Sequence, residues 1–204
     1  MLVHGPNIQP LPDFDPLPDT LELTVLLKVG DDISTDTILP AGAEVLPLRS
    51  NIPRISRYLF RPLDARFHDR AMQRREQGSA LVAGTNYGQG SSREHAALAP
   101  RYLNVRMVLA IGFARIHWQN LANFGILPLR FAEPRDLQGI EAGDRLVLRH
   151  LRHSLKESRE LLIENRSRGS RIRVIHDLSP RLVQAVMVGG LLPLIVVSRR
   201  KRWG

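Results

Sequence analysis

Residues 79–100 read SALVAGTNYGQGSSREHAALAP, and the fold follows from how this stretch is divided. Ser79 to Ala83 is a short apolar run of the buried-strand type. It passes straight into Gly84-Thr85-Asn86-Tyr87-Gly88-Gln89-Gly90-Ser91-Ser92, where three glycines allow tight turns. The pattern predicts a helix starting near Ser92, with Glu94 three residues after Ser91 as in a capping box, ending near Leu98 because Pro100 follows. Downstream, Val105 to Ile111 is apolar and β-rich, Arg115 to Asn123 has helical composition, and Ile126 to Phe131 is again a strand candidate. Strand, loop, helix, strand, helix, strand is an α/β alternation.

The flanks extend the pattern in both directions. Leu21 to Val29 is a strand candidate that ends at Gly30, Asp31 to Asn51 is polar and turn-rich, and Ile52 to Gln77 reads as mostly helical with Phe67, Ala71 and Met72 on one face. Beyond Phe131, Arg145 to His176 reads as short charged strands around a turn at Arg168-Gly169-Ser170. Ser179-Pro180 then opens a final helix, with proline at a favourable first position. Residues 1–20 carry Pro10, Pro12, Pro16 and Pro18 and are expected to form an extended arm. The expected division is an arm over 1–20, one folded unit over 21–183, and an apolar then basic tail over 184–204.

Composition bounds what the chain can do. It has 204 residues with 43% hydrophobic content, enough for one full core. Cysteine is absent, so no disulfide, thiolate nucleophile or self-held iron–sulfur cluster can be built from these residues. The formal charge is +9, but among the 29 basic residues only Lys28, Lys156 and Lys201 are lysine, and many arginines alternate with acids, as in Arg159-Glu160. That pattern fits a dispersed solvated surface, with concentrations only at Arg145 to Arg173 and Arg199-Arg200-Lys201-Arg202. The start lacks the basic residues and apolar run of a signal peptide. The longest apolar stretch, Ala185 to Val197, is broken by Gly189-Gly190 and Pro193 and falls short of the roughly 20 residues a spanning helix needs. A cytoplasmic protein with no membrane partner is the expectation.

Two loops could carry chemistry. Tyr87 to His95 sets two hydroxyls and an arginine where a helix is expected to begin, an arrangement that favours an anion. A phosphate loop would need a Lys-Ser/Thr ending, and a hydrolase elbow would need G-x-S-x-G; neither fits. A well-capped helix without further function is the remaining alternative. The second loop, Gly30-Asp31-Asp32-Ile33-Ser34-Thr35-Asp36-Thr37, could orient an arginine, hold a metal or make Asx turns. It has no glycine at the sixth position and no glutamate at the twelfth, so it is not a calcium loop.

GDDISTDTILPAG (30–42), NYGQGSSREHAALAPR (86–101) and FARIHWQNLANFGILPL (113–129) occur in the order and spacing of the mobile swivel domain of the aconitase superfamily, and the chain resembles that family from residue 5 to residue 182. It looks most similar to the carboxy-terminal quarter of the shorter bacterial-type aconitases. The domain also occurs as the separate small subunit of 3-isopropylmalate dehydratase and homoaconitase. The resemblance implies a single swivelling β/β/α-type α/β domain with an extended N-terminal arm. It implies a hydro-lyase that interconverts citrate and isocitrate through cis-aconitate, with 3-isopropylmalate dehydratase or homoaconitase small subunit as the alternative.

Roles carry over by motif. Ser91 corresponds to the family's catalytic base, an alkoxide that takes the proton α to a carboxylate, which requires electrostatic preorganisation around a poor base. Ser92 and Arg93 correspond to substrate-carboxylate binders, and Asp36 to an aspartate of the supporting network. Arg49 corresponds to a further substrate-binding arginine if one extra residue is allowed in its loop. Thr37 stands where the family usually has His, and Ile111-Gly112 where it often has Lys-Ser. His95 reads as a helix residue beside the site. The 4Fe-4S cluster is implied on other domains or on a large partner subunit, with no cofactor or metal held here, and the isolated chain is expected to be inert. The basic balance leaves a nucleic-acid-binding or regulatory module as a reading of another class.

Overall fold

The structure is a computed structural model that describes residue 5 and residues 7–203. Seven strands close into a barrel: β1 (Leu21–Lys28), β2 (Ser79–Ala83), β3 (Val105–Ala110), β4 (Leu127–Phe131), β5 (Arg145–Leu148), β6 (Glu160–Asn165) and β7 (Ser170–Ile175), in the order β1-β2-β3-β4-β7-β6-β5. β1 to β4 pair in parallel, whereas β4–β7, β7–β6, β6–β5 and β5–β1 are antiparallel. The burial patterns follow from this split. Every residue of β2 and β3 is buried, because helices cover the outside of the parallel half. Ala80 and Val82 join the barrel interior while Leu81 and Ala83 pack outward against the helical layer. β6 instead alternates, with Leu161 and Ile163 inside and Glu160 and Leu162 exposed, as a strand with one wet face must.

The helical layer contains α1 (Thr35–Ile38), α2 (Ile52–Ile55), α3 (Phe67–Gln73), α4 (His95–Tyr102) and α5 (Arg115–Asn123). α6 (Leu151–Glu157), α7 (Pro180–Met187) and α8 (Leu191–Trp203) follow. Three expectations are corrected. The helical stretch expected over 52–77 is broken, because Pro62 cannot continue a helix and Phe60 takes a φ of 53°. Phe60 is fully buried there, 4.7 Å from Phe67 edge to face. The region 145–176 holds a helix as well as strands: α6 places Leu151 and Leu155 on one buried face at i and i+4. α7 starts as expected at the Ser179 cap and Pro180, but it is not the last helix, since α8 follows Gly189 and Gly190 at φ 96° and 139°. Pro193 lies in the first turn of α8, where a missing N–H breaks no helical bond.

The arm is fastened rather than loose. Leu17 is wholly buried in the barrel-side core, worth about 1.5–3 kcal/mol, and its N–H donates to Met187 O at 3.0 Å. Arg101 and Arg106, both buried, donate to the carbonyls of Asp15 and Pro16. Among the described residues no single helix is long and apolar enough to cross a membrane. α7 and residues 191–199 reach that length and apolarity only when taken together, across a bend of 92°.

Candidate functional site

The loops after β1, β2 and β3 gather at the carboxyl ends of the parallel strands, the end at which parallel strands of α/β barrels and sheets alike present their ligands. A backbone lattice locks the first two together. Asp32 N donates to Thr85 O, Thr35 N to Gln89 O, and both Gly88 N and Gln89 N to Ile33 O, at 2.7–3.2 Å. Side chains repeat the connection: the Asn86 amide donates to Asp32 and Gln89, and the Gln89 amide to Asp32 O. Thr85 N donates to the Asp31 carboxylate at 2.6 Å, which lowers that carboxyl's pKa. A Cβ on Gly84 would overlap the Asp31 carboxylate and displace it from Thr85 N. The loop after β3 joins in through Tyr87 N to Gly112 O and Ala114 N to Tyr87 O.

This lattice brings together the residues singled out in the sequence. Arg93 Nη1 donates to Asp36 Oδ1 at 2.7 Å and to Leu39 O at 3.1 Å. The hydrogen bond from Arg93 holds the Asp36 carboxyl below its ordinary value. Because both contacts use Nη1, the Nη2 and Nε edge of Arg93 is left without a partner among the described residues. Ser91 and Ser92 are exposed beside it. Arg49 is exposed, with its carbonyl 2.8 Å from His95 Nε2, so its backbone is tied to the start of α4. His95 therefore sits beside the site, at the first helical position.

The capping-box expectation is corrected. α4 begins at His95, three residues later than Ser92, with Glu94 as N-cap and no side-chain cap. Its first turn is closed instead by Ala96 N to Arg93 O and Leu98 N to Glu94 O. Residues 91–93 stay outside the helix, with Arg93 bonded to Asp36 and Leu39, so Ser91 precedes the helix rather than capping it. Pro100 lies inside α4, where the buried Ala96, Ala97 and Ala99 hold the helix against its neighbours despite the lost N–H.

One residue was not picked out from the sequence as part of the site. His117, on α5, is buried with both ring nitrogens unpaired among the described residues, 5.3 Å from the Tyr87 ring. Burial pushes its pKa down to about 4 and that of Tyr87 up. The available signal was the i, i+3, i+4 set His117, Asn120, Leu121, all buried on one helix face. No group of three or more His, Asp or Glu side chains that could hold a metal occurs among the described residues, and cysteine ligands are absent from the sequence.

A family model described as the aconitase C-terminal domain matches residues 57–134. The 3-isopropylmalate dehydratase small subunit 2 of Archaeoglobus fulgidus is 36% identical over 168 residues, covering 82% of this chain and 90% of that one. The chain belongs to the aconitase C-terminal domain family. A second member, an Emericella nidulans protein described as a mitochondrial aconitate hydratase, is 40% identical over 167 residues but the match covers only 21% of it. The chain thus spans about a fifth of that relative and nine-tenths of the Archaeoglobus subunit. The crystal structure of 3-isopropylmalate dehydratase from Methanocaldococcus jannaschii superposes with a TM-score of 0.72 over 91% of this chain and 99% of that one, at 24% identity. That likeness bears on the family fold, the closed barrel with its helical layer.

Proposed function

We propose that this chain is the swivel part of an aconitase-type hydro-lyase, supplying a base and carboxylate binders to an active site completed by large, cluster-bearing domains or a partner subunit. The observation that carries the reading is the Asp36–Arg93–Leu39 arrangement beside two exposed serines. It fixes a guanidinium by one nitrogen and leaves its other edge for a substrate carboxylate. In this reading Ser91, as the alkoxide, takes a proton from the carbon α to a carboxylate while hydroxide leaves the neighbouring carbon. The C–H electron pair becomes the second bond of the enoate, and addition of water in the opposite sense returns the isomer. Ser92 and Arg93 hold the carboxylate, and Asp36 keeps Arg93 in place. A 4Fe-4S cluster on the partner domains would supply the Lewis acid for hydroxyl departure; this cysteine-free chain offers no thiolates for it. In this reading the donors that stabilise the Ser91 anion are completed when the partner closes over the loop, and the chain alone is inert.

Citrate and isocitrate, interconverted through cis-aconitate, are the proposed substrates, because Arg49 is tied to the head of α4 and offers a second cation for an extra carboxylate. The length match favours a second reading, a 3-isopropylmalate dehydratase small subunit. Turnover of both substrates by the chain reconstituted with a cluster-bearing partner separates them. Reaction of citrate, with Arg49→Ala raising its KM, supports the first. Reaction of isopropylmalate alone, insensitive to Arg49→Ala, overturns it.

A further inference from the structure

The upper side of the serine loop is densely hydrogen-bonded, but its floor is not. Thr35 Oγ1, both ring nitrogens of His117 and Asn120 Nδ2 are buried and lack a partner among the described residues. They lie together. A Cβ on Gly88 would overlap the His117 ring, one on Gly90 would come within 3.3 Å of Thr35 Oγ1, and Asn120 shares the buried face of α5 with His117. Buried polar atoms are ordinarily satisfied, and a cluster of exceptions calls for a cause. An apolar ring would fill the same space without that cost, so packing alone does not account for an imidazole here. The loop above is rich in backbone donors and acceptors and turns through two left-handed glycines, three residues and one residue before Ser91.

We infer that His117 is a positioning residue of the serine loop: a ring nitrogen, unpaired in the partner-free arrangement, hydrogen-bonds the Gly88–Ser91 backbone when the loop engages substrate. The imidazole then fixes the height of the Gly88 turn and, through it, the place of the Ser91 oxygen. His117 touches no reacting atom; it acts only through the loop. The inference rests on the proposed hydro-lyase reading, which assigns the base to Ser91.

The test compares wild type, His117→Leu and His117→Gln in the complex reconstituted with the cluster-bearing partner, and follows thermal unfolding of each chain alone. His117→Leu should unfold at the same temperature or higher, having shed unpaired nitrogens. It should lose about tenfold or more in kcat, the scale of a misplaced reacting group, with KM nearly unchanged. His117→Gln, which restores a donor and an acceptor, should recover part of that loss. In wild type labelled with ¹⁵N-histidine, one ring nitrogen should move from an unpaired to a hydrogen-bonded shift on adding cis-aconitate to the complex. A purely space-filling ring predicts unchanged kcat in His117→Leu and unmoved shifts, and either result overturns the inference. Were His117→Leu not to fold, the shift measurement on wild type decides alone. Absence of turnover by the wild-type complex would count against the hydro-lyase reading itself, and only the ratio among the variants and the ring shift bear on His117.

Discussion

Asp36→Asn separates stability from function at the centre of the site. The substitution keeps the shape and removes the charge that faces Arg93 Nη1 at 2.7 Å, leaving Leu39 O at 3.1 Å as that nitrogen's remaining backbone partner. The Asp36 side chain is 64% exposed and that of Arg93 24%. A pair this wet contributes only about 0.2–1 kcal/mol to folding. For a domain of this size that is a fall of about 4 °C at most in Tm. Its effect in the closed complex, where water is excluded, is larger: a charge-assisted hydrogen bond is worth about 1.5–3 kcal/mol against about 0.5–1.5 for the neutral one that Asn leaves, so kcat/KM should drop roughly five- to tenfold at 1.4 kcal/mol per decade. The pH dependence carries a sign. Arg93 depresses the folded-state pKa of Asp36 below its ordinary 3.8. The pair's stabilisation is therefore complete above that ordinary value and fades as pH falls through the depressed one. Thermal melts of the chain alone and steady-state kinetics of the reconstituted complex supply both readouts. A Tm loss beyond about 8 °C with kcat/KM within about twofold of wild type would refute the reasoning, making Asp36 a structural residue.

Other outcomes follow from the same geometry. His117 is held neutral by burial, its pKa lowered from 6.5 to about 4. The folded chain thus binds fewer protons than the unfolded one between those values, and stability should decline by about 3 kcal/mol as pH falls across that window. Denaturant melts should show that decline in wild type and a flatter profile in His117→Leu; equal slopes would place the acid sensitivity elsewhere. Gly88→Ala puts a Cβ into the His117 ring at a φ of 85°, and chemical denaturation should show a loss of about 2–5 kcal/mol. A near-neutral result there would mean that the loop is not seated on His117.

Much of the fold was legible because its signals are local. β2 and α5 have the predicted bounds: a five-residue apolar run leaves little choice of ends, and α5 lies between Gly112 and Gly125. α6 was obscured because its Leu151–Leu155 pair sits among charged neighbours and follows His150, whose left-handed φ of 51° no local pattern announces. The start of α4 moved because Arg93, inside the cap-like sequence, is held by Asp36 and Leu39, partners more than fifty residues away that no local pattern announces. In the site, glycines, hydroxyls and an arginine marked the serine loop, and aspartates beside hydroxyls marked the loop after β1. The Arg93–Asp36 pair, 57 residues apart, forms only through the parallel pairing of β1 and β2. His117 was hidden for the opposite reason: its place depends on burial with no partner, and that is a property of packing rather than of sequence spacing.

The central claim is that this chain brings a base to a reaction completed elsewhere. Ser91→Ala tests it directly, because the hydroxyl is exposed and has no hydrogen-bond partner among the described residues, so its removal should not disturb folding. Dehydration of isocitrate to cis-aconitate should be followed in the complex reconstituted with a cluster-bearing partner. The expected result is unchanged Tm and unchanged assembly, with kcat reduced by about 10²–10⁴, the usual worth of a positioned base. Turnover within about twofold of wild type in a complex that assembles normally would contradict the claim and remove Ser91 from the chemistry.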